Sequence, residues 1–111
     1  MGTYTPRKGD FLALSFDPHS GHEQSGRRPA LVVSNDLFNG HTGMVVVCPV
    51  TRTDRRFPFH VAVPPGCPVT GFVMVEQVKS VDFRARRAAR IARAPAALLE
   101  EVLAVLDACI Y

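Results

Sequence analysis

Along its length the chain sets short apolar runs between polar breaks rich in glycine and proline. DFLALSF at 10–16 is rich in strand formers, follows the turn-like RKGD and is ended by Pro18 and Gly21. RPALVVS at 28–34 predicts a second strand, with Pro29 at its entrance, where a missing N–H is tolerated. NDLFNG predicts one helical turn, capped by Asn35 or Asp36 and closed by Gly40. MVVVCPV at 44–50 is almost continuously apolar, the pattern of a central strand buried on both faces. FPFHVAV at 57–63 alternates, with Phe59, Val61 and Val63 on one face and His60 and Ala62 on the other. PPGCP forces a turn, GFVMVEQ at 71–77 predicts a further strand, and KSVDF continues the pairing beyond a kink.

Two segments near the C-terminal end read differently. RARRAARIA is open: its Ala and Arg favour helix, while a short run before Pro95 equally suits a last strand. Beyond it, Pro95 fits a first helical turn, and Leu98, Leu99, Val102, Leu103, Leu106 and Ile110 recur at helical spacing. About five to seven short strands and one terminal amphipathic helix indicate a β-rich α+β domain, a small curled sheet or barrel with the helix packed on it.

Composition narrows the classes. A length of 111 residues suits one domain, and 47% hydrophobic against 21% charged residues argues for a packed core over disorder. The polar start MGTYTPRKGD has no signal-peptide core and no apolar run is long enough to span a bilayer, so the cytoplasm is expected and no membrane association. Cys48, Cys67 and Cys109 form no CxxC pair, and the four histidines have no ligand spacing, so neither a metal nor another cofactor is expected. Cys48 and Cys109 both read as small core hydrophobes.

The net charge of +3 is uneven. All thirteen basic residues but only seven of the ten acids lie in residues 1–93, a balance of +6 there. Lys79, Arg84, Arg86, Arg87, Arg90 and Arg93 crowd into one stretch, and arginine outnumbers lysine eleven to two. Arginine suits bidentate phosphate contact, which favours a polyanion-binding surface over a merely solvated face.

Candidate chemistry gathers at strand ends. The loop DPHSGHEQSGR carries Glu23 and leads to Arg28, held at a strand entrance by Pro29, while Thr51 and Thr53 follow directly on the buried run ending at Val50. One carboxylate, one permanent cation and one neutral hydroxyl suit attack on a phosphodiester without metal. Glu23 would accept the proton of a ribose 2′-OH, Arg28 would neutralise charge growing on the phosphoryl oxygens, and Thr51 would hydrogen-bond one of them. A plain surface ion pair between Glu23 and Arg27 is the alternative from the residues alone, and it would contribute roughly 0–1 kcal/mol.

GDFLALSFDP, GHEQSGRRPALVVSND, TGMVVVCPVT, FPFHVAV and VEQVKSVDFRARRA occur in an order that resembles the MazF/PemK family of toxin endoribonucleases, from Gly9 to the terminal helix. G-x-E-Q-x-G-x-R-P and the later E-Q-V-K-S are its most specific parts. The resemblance implies a small CcdB/SH3-like barrel that forms a homodimer. It also implies sequence-specific, metal-independent cleavage of single-stranded RNA (mRNA), leaving a 2′,3′-cyclic phosphate and a 5′-OH. A MazE-type antitoxin, expected as an acidic tail that folds onto the basic groove, would block the RNA site.

By motif position the resemblance makes Arg28, Thr51 and Glu23 the catalytic group. It places Gln24, Gln77, Lys79 and Arg86 near the RNA; Arg27, beside the motif arginine, is expected to bind RNA by adding to phosphate attraction, and His22 could stack on a base. A guanidinium with a pKa above about 12 is a poor base, so Arg28 is assigned as electrostatic stabiliser and candidate acid, with Glu23 as base. Phe16 and Phe57 are core residues or, if exposed, stacking platforms. Competing classes are a non-catalytic nucleic-acid-binding module and a gyrase poison of the CcdB type; GHEQSGRRP and Thr51 favour the RNA-cleaving branch.

Overall fold

The computed structural model describes residues 4–15 and 26–111. The residues 16–25, which hold Phe16, His19, His22, Glu23 and Gln24, therefore lie outside the described residues. In chain order the elements are β1 (Asp10–Ser15), β2 (Arg27–Val32), α1 (Asp36–Thr42), β3 (Met44–Thr51), β4 (His60–Ala62), β5 (Phe72–Met74), β6 (Lys79–Asp82), β7 (Ala89–Arg93) and α2 (Ala96–Ile110). All pairings are antiparallel, in the order β4-β5-β3-β2-β1-β7, with β6 also on β3. The expected barrel-like sheet with its helix is present as a curled sheet whose ends, β4 and β7, do not pair with each other.

β3 is the hinge of this curl. Its first half, Met44–Val47, pairs with β6, and its last residues, Val50 and Thr51, pair with β5. Pro49 sits between the two, where the ladder changes partner and a missing N–H costs least. The three valines therefore alternate in fact. Val45 and Val47 join Leu12, Leu14, Ala30, Val32, Val81 and Phe83 in one cluster, while Cys48 and Val50 join Phe11, Leu31, Val73, Leu98 and Val102 in the other. Burial on both faces is what made this run look continuous.

Several expectations are refined. α1 is longer than one turn: Asn35 caps it, accepting from the Phe38 N–H at 2.8 Å, but the left-handed residue that ends it is Gly43, with φ 70°, not Gly40. The strand expected at 57–63 shortens to β4, and that at 71–77 becomes β5 followed by a 3-10 turn over Val75–Gln77. The open segment resolves into a turn and a strand, because β7 pairs with β1 and a helix there would leave that edge bare. In α2, Leu98 and Val102 are buried and Leu99, Leu103 and Leu106 pack beside them, whereas Ile110 is 64% exposed.

The buried Asp10 ties the chain start to β7. Its carboxylate accepts from Tyr4 Oη at 2.5 Å, the Arg7 N–H at 3.0 Å and Arg90 Nε at 3.3 Å, with Arg93 Nη1 at 3.5 Å. Two of the bases counted above thus pair with a buried acid, whose burial alone would be costly.

The cysteines divide. Cys48 is buried as expected, but Cys109 is exposed, a correction that follows from its place on the last turn of α2, away from the stripe. Burial first, then Cys109 and Glu76, pushes the Cys48 thiol up to about 12. The thiolate is the nucleophile, so Cys48 is expected to resist iodoacetamide at pH 8 and react only at the rate of global unfolding. Its contribution to stability is full below the ordinary thiol pKa of about 8.5 and is lost as pH rises from there toward the folded value. Peptide mapping after timed alkylation checks this; prompt labelling of Cys48 in folded protein would contradict it.

Candidate active site

The β2–β3 ladder pairs Ala30 with Pro49, Leu31 with Cys48 and Val32 with Val47. Two residues further along the same register, Arg28 stands across from Thr51. Opposed residues of an antiparallel pair project to one face. That face is the one carrying Leu14, Ala30, Val32, Val45 and Val47, so Arg28 and Thr51 form the polar end of an otherwise apolar surface. Both line a cleft of about 330 Å³ with Arg27, Pro29, Val50 and Arg52. Three guanidinium groups and no carboxylate are among these lining residues, a chemistry suited to a phosphate chain.

Thr51 is held from two sides. The Thr53 N–H donates to its Oγ1 at 3.2 Å, which leaves the hydroxyl proton to donate outward. Behind it, Gly71 has φ 125° and packs so closely that a Cβ there would overlap the Thr51 carbonyl. Among the described residues the exposed Arg28 side chain has no hydrogen-bond or ion-pair partner, so the charge is available to a ligand.

Arg27, although adjacent, is used differently. Its guanidinium donates to the Arg87 carbonyl at 2.7 Å, the Ala13 carbonyl at 3.3 Å and Ser15 Oγ at 3.4 Å. Arg86 donates to the Ser15 carbonyl at 3.3 Å. Both therefore clamp the end of β1 to the turn before β7. Lys79 opens β6 opposite Val47, and Gln77 ends the 3-10 turn beside a second cleft. The structure thus brings Arg28, Arg27 and Thr51 together, and places Gln77 apart from them in that second cleft. Glu23, Gln24 and His22 lie outside the described residues.

Sequence reasoning missed four residues here: Arg52, and in the second cleft Arg55, His60 and Glu76. Arg52 follows Thr51 directly and was legible as part of a basic run. His60 and Glu76 are sixteen residues apart and meet only because β4 pairs with β5. Among the described residues no group of three His, Cys, Asp or Glu side chains is placed to hold a metal ion. No helix among them is long and apolar enough to cross a membrane.

A curled antiparallel sheet with an arginine-rich cleft at one strand end defines a small β-rich protein with a cationic site. A family model described as PemK-like, MazF-like toxin of type II toxin-antitoxin system matches residues 7–110, and the chain belongs to this family. It is 39% identical over 90 residues to the endoribonuclease toxin MazF of Escherichia coli K12, covering 81% of this chain and 80% of that one. A crystal structure of MazF from Deinococcus radiodurans superposes with a TM-score of 0.87 at 44% identity, covering 97% of this chain and 98% of that one. A MazE-MazF structure from the same organism gives 0.86 at 39% identity, covering 97% of each.

Gly71→Ala is expected to cost more than about 1 kcal/mol, because an L side chain must adopt the positive φ and displace the end of β3. Urea unfolding measures the cost, and the amide resonances of Thr51 and Thr53 should shift. An unchanged midpoint with unmoved resonances would show that this packing is not tight.

Proposed function

We propose that this chain, as a single domain over residues 1–111, is the toxin of a toxin–antitoxin pair and a metal-independent, sequence-specific endoribonuclease acting on single-stranded RNA in the cytoplasm. The observation that carries the reading is the Arg28 guanidinium, without a partner among the described residues, in one cleft with a Thr51 hydroxyl whose oxygen already accepts an N–H. Family membership supports the activity, since the E. coli relative is named an endoribonuclease. The MazE-MazF structure supports an antitoxin of MazE type as partner.

In this reading the ribose 2′-oxygen attacks phosphorus as its proton passes to Glu23. The bond from phosphorus to the 5′-oxygen breaks, and that oxygen takes up a proton, giving 2′,3′-cyclic phosphate and 5′-OH ends. Arg28 neutralises charge on the non-bridging oxygens and Thr51 donates to one of them, contributions that count most where charge develops in the transition state. Arg28 stays protonated until the leaving oxygen needs a donor, so it is the candidate acid and not the base. Gln24, His22, Gln77, Lys79 and Arg86 contact the RNA along the groove. Arg27 lines the same cleft and adds positive charge there, while its guanidinium also holds β1 and the turn before β7. The working form is a homodimer.

The test is incubation with mixed-sequence RNA in EDTA, followed by mapping of fragment ends. Cyclic-phosphate ends are expected, and intact RNA from folded protein would overturn the reading. Arg28→Ala should slow single-turnover cleavage at saturating enzyme by about 100-fold or more. A fall in affinity alone would instead identify a binding module. Glu23→Gln should slow cleavage and abolish the acidic limb of the pH–rate profile, where protonation of the base limits the rate; an unchanged rate and profile would remove Glu23 as base.

RNA affinity should also fall with salt, with a log–log slope of roughly −0.7 per phosphate contact. Filter binding over a salt series measures it, and a flat series would show that the arginine-rich cleft does not hold the RNA backbone.

A further inference from the structure

The cleft that holds Arg28 and Thr51 opens where two strands part. The Val33 N–H donates to the Val46 carbonyl at 2.9 Å, and among the described residues β2 pairs with β3 only as far as Ala30 and Pro49. Hydrogen-bonded pairs alternate along such a ladder, so the next would join Pro29 to Val50, where Pro29 has no N–H to give. Beyond that point each tip follows a different neighbour. Val50 and Thr51 pair with β5, while Arg28 and Arg27 pair with Leu14 and Ser15 of β1. Register decides that Arg28 faces Thr51, but their separation depends on how the joined end of β1 and β2 is held.

The turn between β6 and β7 holds it. Asp82 builds that turn, its Oδ1 accepting the Arg84 and Ala85 N–H groups at 3.0 Å each. The buried Phe83 roots it in the core that includes Leu14 and Ala30. Arg87 takes the left-handed conformation, with φ 57°, which glycine adopts freely and a β-branched residue resists. Its carbonyl accepts from Arg27 Nη1 at 2.7 Å, and the same guanidinium donates to the Ala13 carbonyl at 3.3 Å and Ser15 Oγ at 3.4 Å. The Ser15 N–H donates to the Arg86 carbonyl at 2.9 Å, so both strands are tied to one turn. Three acceptors set at different angles need a fork of donors, which arginine has and lysine lacks.

We propose that Arg27 is a positioning residue for the cleavage reaction: it latches the tip of β2 to the β6–β7 turn and thereby sets the distance between the Arg28 guanidinium and the Thr51 hydroxyl. The inference rests on the ribonuclease reading and gives Arg27 a task beyond adding positive charge to the cleft. Attraction needs only charge, whereas aligning two groups on one phosphoryl centre needs each of them held in place.

Substitutions that separate charge from geometry test the latch. Arg27→Lys keeps the charge and loses the fork. It should bind an RNA made uncleavable by 2′-deoxy substitution within about twofold of wild type, yet cleave RNA about tenfold more slowly in single turnover at saturating enzyme. Cleavage at the wild-type rate would show that charge is all Arg27 supplies and overturn the proposal. In the Arg28→Ala background the same substitution should add less than about twofold, because a residue acting through Arg28 has nothing left to place. A second full loss there would also overturn it.

Arg87→Gly and Arg87→Val remove the same charge and differ in their tolerance of positive φ. The valine variant should cleave about tenfold more slowly than the glycine variant, because it misplaces the carbonyl that Arg27 grips. Equal rates overturn the proposal. A last readout needs no RNA: the Ser15 amide should exchange its hydrogen about tenfold faster in Arg27→Lys than in wild type, with Val33 in the body of the ladder unchanged. Unchanged exchange at Ser15 overturns the latch. RNA left intact by folded wild type would sink the ribonuclease reading, while this exchange still decides whether Arg27 latches the strand.

Discussion

The candidate site of this molecule depends on the pairing of β2 with β3. Its register sets Arg28 against Thr51 at the end of a face that is apolar everywhere else. A slip of one residue would turn every side chain of β2 to the opposite face, taking Leu31 out of its core and Arg28 away from Thr51. The register is held by burial on both sides, because each alternate residue of β2 and β3 belongs to one of two cores. Chemistry and stability are therefore specified by the same ladder. The residues that fix the site's geometry are mostly valines and leucines that never touch a ligand.

The arginines serve two ends. Arg90 and Arg93 compensate the buried Asp10, and Arg27 and Arg86 close the end of β1 against the turn before β7. Arg28 has no such task among the described residues, and it lines the cleft beside Thr51 together with Arg27 and Arg52. Net charge alone suggested a single broad polyanion surface. Hydrogen bonding separates the guanidinium groups that build the fold from those that face a ligand. A planar group with five donors can do either, and its neighbours decide which.

Two clefts differ in chemistry. The first is lined by three arginines and a threonine; the second offers aromatic rings, a carboxylate and an amide. Phosphate contacts position a nucleic acid and base contacts specify it. A cleaving enzyme needs both, because the scissile phosphate carries no sequence information of its own.

Local pattern was enough to locate the strands, the capped helix α1, the amphipathic α2 and the strand-end placement of Arg28 and Thr51, since alternation, capping and turn residues act over a few positions. The boundaries it misplaced depended on distant partners. β4 and β5 pair with each other over only three residues, and 89–93 is a strand because β1 offers it an edge. Gly71 gave no sign of its role, since only the approach of Thr51 demands a residue without a Cβ. The same holds for His60 and Glu76, and for the buried Cys48 set against the exposed Cys109. Composition and spacing, being local, determined which chemical groups the chain carries and which elements bear them. Which of those groups meet was decided by antiparallel pairing between remote segments, because contact across a sheet depends on register and curl that no single stretch encodes.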